Sequence, residues 1–149
     1  MGQITAFLTG VRRITKLYEG MLEDICRRYR LTRMEANIIS FLQNNPGKDT
    51  AGDIVELRMF SKSAVSQGVE ALIQKALVQR KQDPDDRRKI HLSLLPKAKP
   101  ITEEIETIRK RFTERVFAGF SGAERELFAE LSGRIVENVM MNSATGGCP

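Results

Sequence analysis

Long apolar runs are missing from this 149-residue chain. Its unbroken apolar stretches last only a few residues, whereas a membrane-spanning helix needs about 20, so no transmembrane segment is expected. Cysteine is scarce too. Cys26 and Cys148 lie far apart, which excludes a disulfide framework. With one histidine, His91, and neither a CxxC nor an HExxH pattern, a metal would find no ligand set. No GxGxxG or GxxxxGK[ST] loop cradles a phosphate. Glu103 and Glu104 are neighbours on a helical pattern, so they diverge, and they favour a helix N-terminus over acid–base work. The expectation is therefore a chain that is not an enzyme and uses no cofactor. A charged-then-apolar leader is also absent. "MGQITA" has Ala6 where a myristoylation signal wants Ser or Thr, so the expected location is the cytoplasm.

What is present begins with charge. The net charge is +5, and residues 78–99 supply +4 of it, with seven Lys or Arg against three Asp. A concentrated basic segment is the electrostatic footprint of a polyanion site, although a basic loop that is merely solvated has the same composition.

The rest of the pattern is mostly helical. Ile4, Phe7, Leu8, Val11, Ile14, Tyr18, Met21, Leu22 and Ile25 recur at steps of three and four, one face of a helix over 4–29. Thr32 and Glu35 have capping-box spacing and open a helix over about 33–44, which "NNPG" ends. Thr50 and Asp53 cap a short helix through Leu57. Ser61 caps the next, whose stripe is Val65, Val69, Leu72, Ile73 and Leu77; Gly68 at its edge suits close approach of a neighbouring helix. "LVQRKQD" and "KIHLSLL" alternate with period two and flank Asp83-Pro84-Asp85-Asp86, which is turn chemistry, so a two-stranded hairpin follows. Ile101, Ile105, Ile108, Phe112 and Val116 mark a long helix, with a Glu106–Lys110 pair expected on its outer side. Ser121 and Glu124 cap a last helix expected to bury Leu127, Phe128, Leu131, Ile135 and Val139. "NSATGGCP", with Cys148, reads as a disordered tail.

Two helices joined by a tight turn and followed at once by a basic hairpin form a constellation suited to duplex DNA. Lys62, Ser63, Ser66, Gln67 and Glu70 fall off the apolar stripe near a helix N-terminus, where such side chains reach base edges in a major groove. An ordinary surface helix would look alike, so the hairpin carries the weight. Its tip holds Arg87, Arg88 and Lys89. An arginine in a narrow minor groove gains from the negative potential there. Asp86 would orient the Arg88 guanidinium by a bidentate pair, which explains acid within a basic tip. The bland alternative is a solvated turn with casual ion pairs. His91 reads as an ordinary strand residue. Cys26 reads as a plain buried thiol in the first helix, with a redox-sensing thiolate favoured by Arg27, Arg28 or Arg30 as the alternative.

"SKSAVSQGVEALIQKALVQRKQDPDDRRKIHLSLLPKAK" strongly resembles the core of the MarR family of dimeric winged-helix transcription regulators, over about residues 32–100. The resemblance implies a recognition helix over Ser61–Leu77. It implies a wing signature at Asp83, Asp86 and Arg88, with Arg88 in the minor groove, and a matching arginine at Arg80. The family often has glycine at the turn where this chain has Ala76, and Leu-Thr-x-x-Gly where it has Leu94-Leu95-Pro96-Lys97-Ala98; Pro96 suits the first position of a helix.

The expected fold is mainly α with a small β-hairpin: a winged helix-turn-helix DNA-binding lobe over 31–99, a dimerisation region made of the N-terminal helix (1–30) and two C-terminal helices (100–142), and a tail over 143–149. The apolar faces of 4–29, 101–116 and 127–140 exceed what a small winged helix can cover, which argues independently for a homodimer. The function expected is a sequence-specific repressor on double-stranded DNA with a palindromic operator, relieved by a small amphipathic or phenolic effector of the kind the family binds. A thiol-based sensor using Cys26 and a winged helix used for protein contacts are the alternatives.

Overall fold

The computed structural model describes residues 2–144, with side chains described as far as Met141. They fall into two compact units that divide between Phe112 and Thr113. The elements run α1 (Gln3–Tyr29), α2 (Arg33–Asn44), α3 (Ala51–Arg58), α4 (Lys62–Gln74), β1 (Val78–Gln82), β2 (Ile90–Leu94), a 3-10 turn over Pro96–Ala98, α5 (Lys99–Val116) and α6 (Gly122–Ala144). The mainly helical chain with one antiparallel hairpin matches the expected fold class. No helix among the described residues is long and apolar enough to cross a membrane.

The helices start where short-range chemistry dictates. The Thr32 hydroxyl accepts from the Glu35 N–H at 3.1 Å, while the Glu35 carboxylate accepts from the Thr32 N–H at 2.8 Å. Thr50 and Asp53 repeat this capping box at α3, and Ser121 and Glu124 at α6. Ser61 caps α4 by accepting from the Ala64 N–H at 3.1 Å. Each cap satisfies amides that the first helical turn leaves without partners. Pro96 opens the 3-10 turn, where its missing N–H costs nothing.

The core of the first unit joins Leu22 and Ile25 of α1, Ile38, Ile39 and Phe41 of α2, Ile54 of α3, and Val65, Val69 and Leu72 of α4. Val78 and Leu92 of the hairpin and Ile101 and Ile105 of α5 complete it. A two-stranded hairpin is marginal alone, and these buried residues seat this one on the helices. The division expected by role, at 30/31 and 99/100, is cut across by packing. The second half of α1 and the first half of α5 bury their stripes in the same core as the winged helix.

Gly68 lets α4 approach α2 closely. A Cβ there would lie 2.7 Å from Ile38 Cδ1 and 3.1 Å from Met34 Cγ. α4 ends in a Schellman pattern, with the Leu77 N–H bonded to the Leu72 carbonyl and the Ala76 N–H to the Ile73 carbonyl, both at 3.0 Å. The motif needs a left-handed residue, and Ala76 takes that role at φ 59°. The glycine that the family often places there is thus replaced without loss of the turn.

Three expectations need correction. Leu127, Phe128, Leu131, Ile135 and Val139, expected to be buried, are 44–60% exposed in the single chain. Glu106 lies 4.0 Å from Arg109 Nε, an i,i+3 neighbour, in place of the expected pair with Lys110. Helix α6 continues through Ala144, so the segment expected to be a tail begins as helix; Cys148 and the remainder lie outside the described residues.

Candidate nucleic-acid interface

Burying one stripe of α4 turns the opposite side outward. Val65, Gly68, Val69 and Leu72 are buried, and Lys62, Ser63, Ser66, Gln67 and Glu70 are all exposed. Five side chains able to donate or accept hydrogen bonds thus share one solvent face, as the periodicity predicted.

β1 and β2 pair antiparallel, with Val78 opposite Leu94, Arg80 opposite Leu92 and Gln82 opposite Ile90. The Asp83 N–H donates to the Lys89 carbonyl at 3.0 Å and closes the wing turn. Inside the turn the acids act on the backbone. Asp83 Oδ1 accepts from the N–H groups of Asp85 and Asp86 at 2.8 and 3.0 Å. Asp86 Oδ1 accepts from the Arg88 N–H at 2.9 Å. The expected bidentate pair between Asp86 and the Arg88 guanidinium is replaced by this Asx turn, because a carboxylate two residues ahead reaches the amide before it reaches the end of the side chain. The result is a division of labour. Carboxylates fold the tip, and Arg87, Arg88 and Lys89 stand exposed with no ion pair to any described residue.

Arg80 behaves differently. Its guanidinium donates to the Glu70 carboxylate, so two residues expected to face DNA are paired with each other across α4 and β1. Lys75, at the end of α4, donates to Glu35 Oε1 at 2.5 Å and to the Arg30 carbonyl at 2.7 Å. Burial pushes the Glu35 carboxyl up, but Lys75 and the Thr32 cap outweigh it and hold the group below its ordinary range. That pair anchors the end of α4 to the start of α2.

His91 is more than an ordinary strand residue. Its Nδ1 lies 2.6 Å from Asp49 Oδ1 and its Nε2 2.7 Å from Asp83 Oδ2. Nothing in the local pattern points to this cluster, because Asp49 is 42 residues away. Only Asp83, across the hairpin, was within reach of a register argument.

Cys26 is partly buried, and its thiol lies 3.8 Å from the Thr32 carbonyl. Burial pushes its pKa up, with Arg33 opposing. The lowered thiolate of the redox-sensing alternative is not found: Arg27 pairs with Asp24 and Arg28 with Glu104. A raised thiol is the opposite of what a peroxide-reactive cysteine needs.

Comparison with known proteins agrees with this geometry. Residues 31–89, which hold α2 to the wing tip, match the model of the MarR family. The chain is similar to the HTH-type transcriptional regulator YsmB of Bacillus subtilis, with 25% identity over 118 residues that cover 79% of this chain and 80% of that one. A putative MarR family regulator from Listeria monocytogenes, solved in complex with 26mer DNA, has the same fold with a TM-score of 0.79 and 14% identity, over 95% of this chain and 96% of that one. BpsR of Bordetella bronchiseptica, whose DNA binding is regulated by 6-hydroxynicotinic acid, superposes with a TM-score of 0.66 and 23% identity, over 91% of this chain and 99% of that one. The proteins that share this lobe are transcriptional regulators and not enzymes. With its winged helix-turn-helix and basic tip, the lobe over residues 31–89 is similar to the MarR family, and the chain as a whole shares the fold of solved MarR-family transcriptional regulators.

Proposed function

We propose that this chain works in the cytoplasm as a homodimer that binds a palindromic operator sequence-specifically and represses transcription until a small effector relieves it. The observation that carries this reading is the exposed polar face of α4 beside a wing tip whose cations make no ion pair among the described residues. Lys62, Ser63, Ser66, Gln67 and Glu70 are assigned to base edges in the major groove. Arg88 is assigned to the minor groove, and Arg87, Lys89 and Arg80 to the flanking backbone. Asp86 folds the tip.

Unpartnered apolar faces support the dimer. Ile4, Phe7, Leu8, Val11 and Ile14 of α1 are exposed, as is the α6 row from Leu127 to Met140. Contiguous patches of that kind are rare on monomers. A two-fold dimer sets half-sites about 10 base pairs apart, one helical turn.

The effector reading is supported by a cavity of about 470 Å³ between α1 and α5. Met21, Ile25 and Ile108 give it apolar walls; Asp24 and Glu104 line it with Arg28 and Arg111, and since Arg28 pairs with Glu104, Arg111 is the cation offered to a ligand. That mixture suits a small amphipathic ring compound, such as a phenol or an aromatic acid, in a volume ordinary for ligand pockets.

Selection of bound duplexes from a random pool, combined with sedimentation, tests the whole reading. The expected result is a two-fold symmetric consensus bound by a dimer. A chain that sediments as a folded monomer at micromolar concentration, or that enriches no duplex at low salt, would instead be a winged helix that contacts proteins.

A further inference from the structure

Outside the α4 face and the wing tip, a compact group of titratable side chains is built around His91. Both of its ring nitrogens sit at hydrogen-bond distance from carboxylate oxygens, of Asp49 and of Asp83. Ionised carboxylates only accept, so each nitrogen must carry a proton, and the ring is an imidazolium. Neither nitrogen is left to ligate a metal. The two acids come from separate parts of the lobe: Asp49 from the loop between α2 and α3, Asp83 from the first position of the wing turn. Two further bonds run through the same residues. The Leu92 N–H donates to the Asp49 carbonyl at 2.8 Å, and Asp83 Oδ1 holds the amides that fold the tip. One side chain therefore links the loop ahead of the helix-turn-helix to the residue that shapes the wing.

We propose that His91 is a positioning residue for the wing: its imidazolium clamps the base of the turn to the α2–α3 loop and so sets the angle at which Arg87, Arg88 and Lys89 meet DNA. The inference rests on the DNA-binding reading above and adds to it a residue that touches no nucleotide. The charges around the ring are Lys48 and Asp49 from the loop, Asp53 from α3, Arg88 and Lys89 leading into β2, Asp83 at the turn, and Lys81 opposite His91 on β1.

The direction of titration follows from the geometry. Hydrogen bonds to Asp49 and then Asp83 raise the His91 pKa above its ordinary value, against desolvation. The bond from His91 and the amides of Asp85 and Asp86 hold Asp83 down to about 2. A raised folded pKa means that the clamp is complete below the unfolded value of 6.5 and is lost as pH rises through the folded one. At the acid end the bond to the wing turn opens when Asp83 takes up a proton. Once neutral, the ring donates to one carboxylate and turns a lone pair on the other.

Because His91 is the chain's one histidine, its ring proton resonances need no assignment in the full-length protein. The experiment combines their NMR titration, amide exchange across 83–91, and binding to the duplex selected above, for the parent, His91→Gln and Asp49→Ala. The expected titration midpoint lies above 6.5. In His91→Gln the wing amides exchange faster at pH 6 while those of α4 do not change, and operator affinity falls roughly tenfold, as for one lost charge-assisted hydrogen bond. Asp49→Ala decides between position and charge. By charge alone, loss of an acid beside a polyanion site strengthens binding; a positioning role weakens it and speeds exchange of the wing amides while that of α4 stays parental. A ring midpoint at or below 6.5, unchanged wing exchange in His91→Gln, or tighter DNA binding by Asp49→Ala overturns the proposal. A parent that binds no duplex overturns the DNA reading and the wing's role with it, while the NMR midpoint and exchange still report on the clamp itself.

Discussion

The Glu70 carboxylate on α4 accepts a hydrogen bond from the Arg80 guanidinium on β1, so an ion pair ties α4 to the first strand of the hairpin on the face proposed to meet DNA. Both side chains are about half-exposed, and a pair so open to water exchanges readily for a phosphate. Glu70→Ala frees Arg80 from its internal partner and removes an acid from the interface. Its affinity for random duplex rises, and the logarithmic salt slope steepens by up to about 0.9, the value for one added phosphate contact. Fluorescence titrations over a salt series read both. An unchanged slope would place Arg80 away from the backbone.

Arg88 has no such partner among the described residues. Arg88→Ala weakens operator binding and flattens the salt slope by about one phosphate equivalent at most. Unchanged affinity over the same salt series would refute the wing assignment.

Ala76 occupies a left-handed position that a side chain enters at a cost of about 1–2 kcal/mol. Ala76→Gly removes that cost and returns part of it through a more flexible unfolded chain. The expected gain is about 0.5–1 kcal/mol, visible as a thermal midpoint raised by roughly 1–4 °C. The bonds of Ala76 and Leu77 to the end of α4 stay in place, so DNA affinity should not move.

Gly68 has the opposite expectation. Gly68→Ala gains about 1 kcal/mol of helix propensity, yet its Cβ meets the buried Ile38 side chain. Overpacking of that kind costs about 1–3 kcal/mol. The net effect is a modest loss of stability, and Gly68→Val is clearly worse. Since the displaced element is α4 itself, operator affinity falls with the melting temperature in both variants.

Glu35→Gln keeps a side chain that completes the capping box but leaves the Lys75 ammonium without its carboxylate. Glu35 is buried and Lys75 reaches solvent, so the expected loss is about 1–3 kcal/mol at neutral pH. The Glu35 pKa is lowered on folding, so its contribution is complete above the unfolded value of 4.5 and disappears as pH falls through the folded one. Thermal melts of parent and variant should therefore differ at pH 7 and converge on acidification.

The helix starts were legible in advance because a cap is a contact over three residues. Thr32 with Glu35, Thr50 with Asp53, Ser61, and Ser121 with Glu124 all cap as the spacing predicts. The outward face of α4 was legible for the same reason, since a 3.6-residue period fixes which side chains share a side once one stripe is buried. The wing turn was legible in its position but not in its wiring. Asp86 was expected to aim Arg88 and instead bonds its amide.

By itself, then, the sequence determined the elements, the capped helix starts, the exposed side chains of α4 from Lys62 to Glu70 and the basic tip, because neighbours along the chain interact wherever the chain goes. Tertiary structure alone decided that Lys75 meets Glu35 and that His91 meets Asp49, partners 40 and 42 residues apart. It also decided that Arg80 turns to Glu70 and that Ala76 accepts a left-handed bend. A charged side chain several bonds long has many partners open to it in a sequence, and only the packed backbone brings one of them within hydrogen-bond distance.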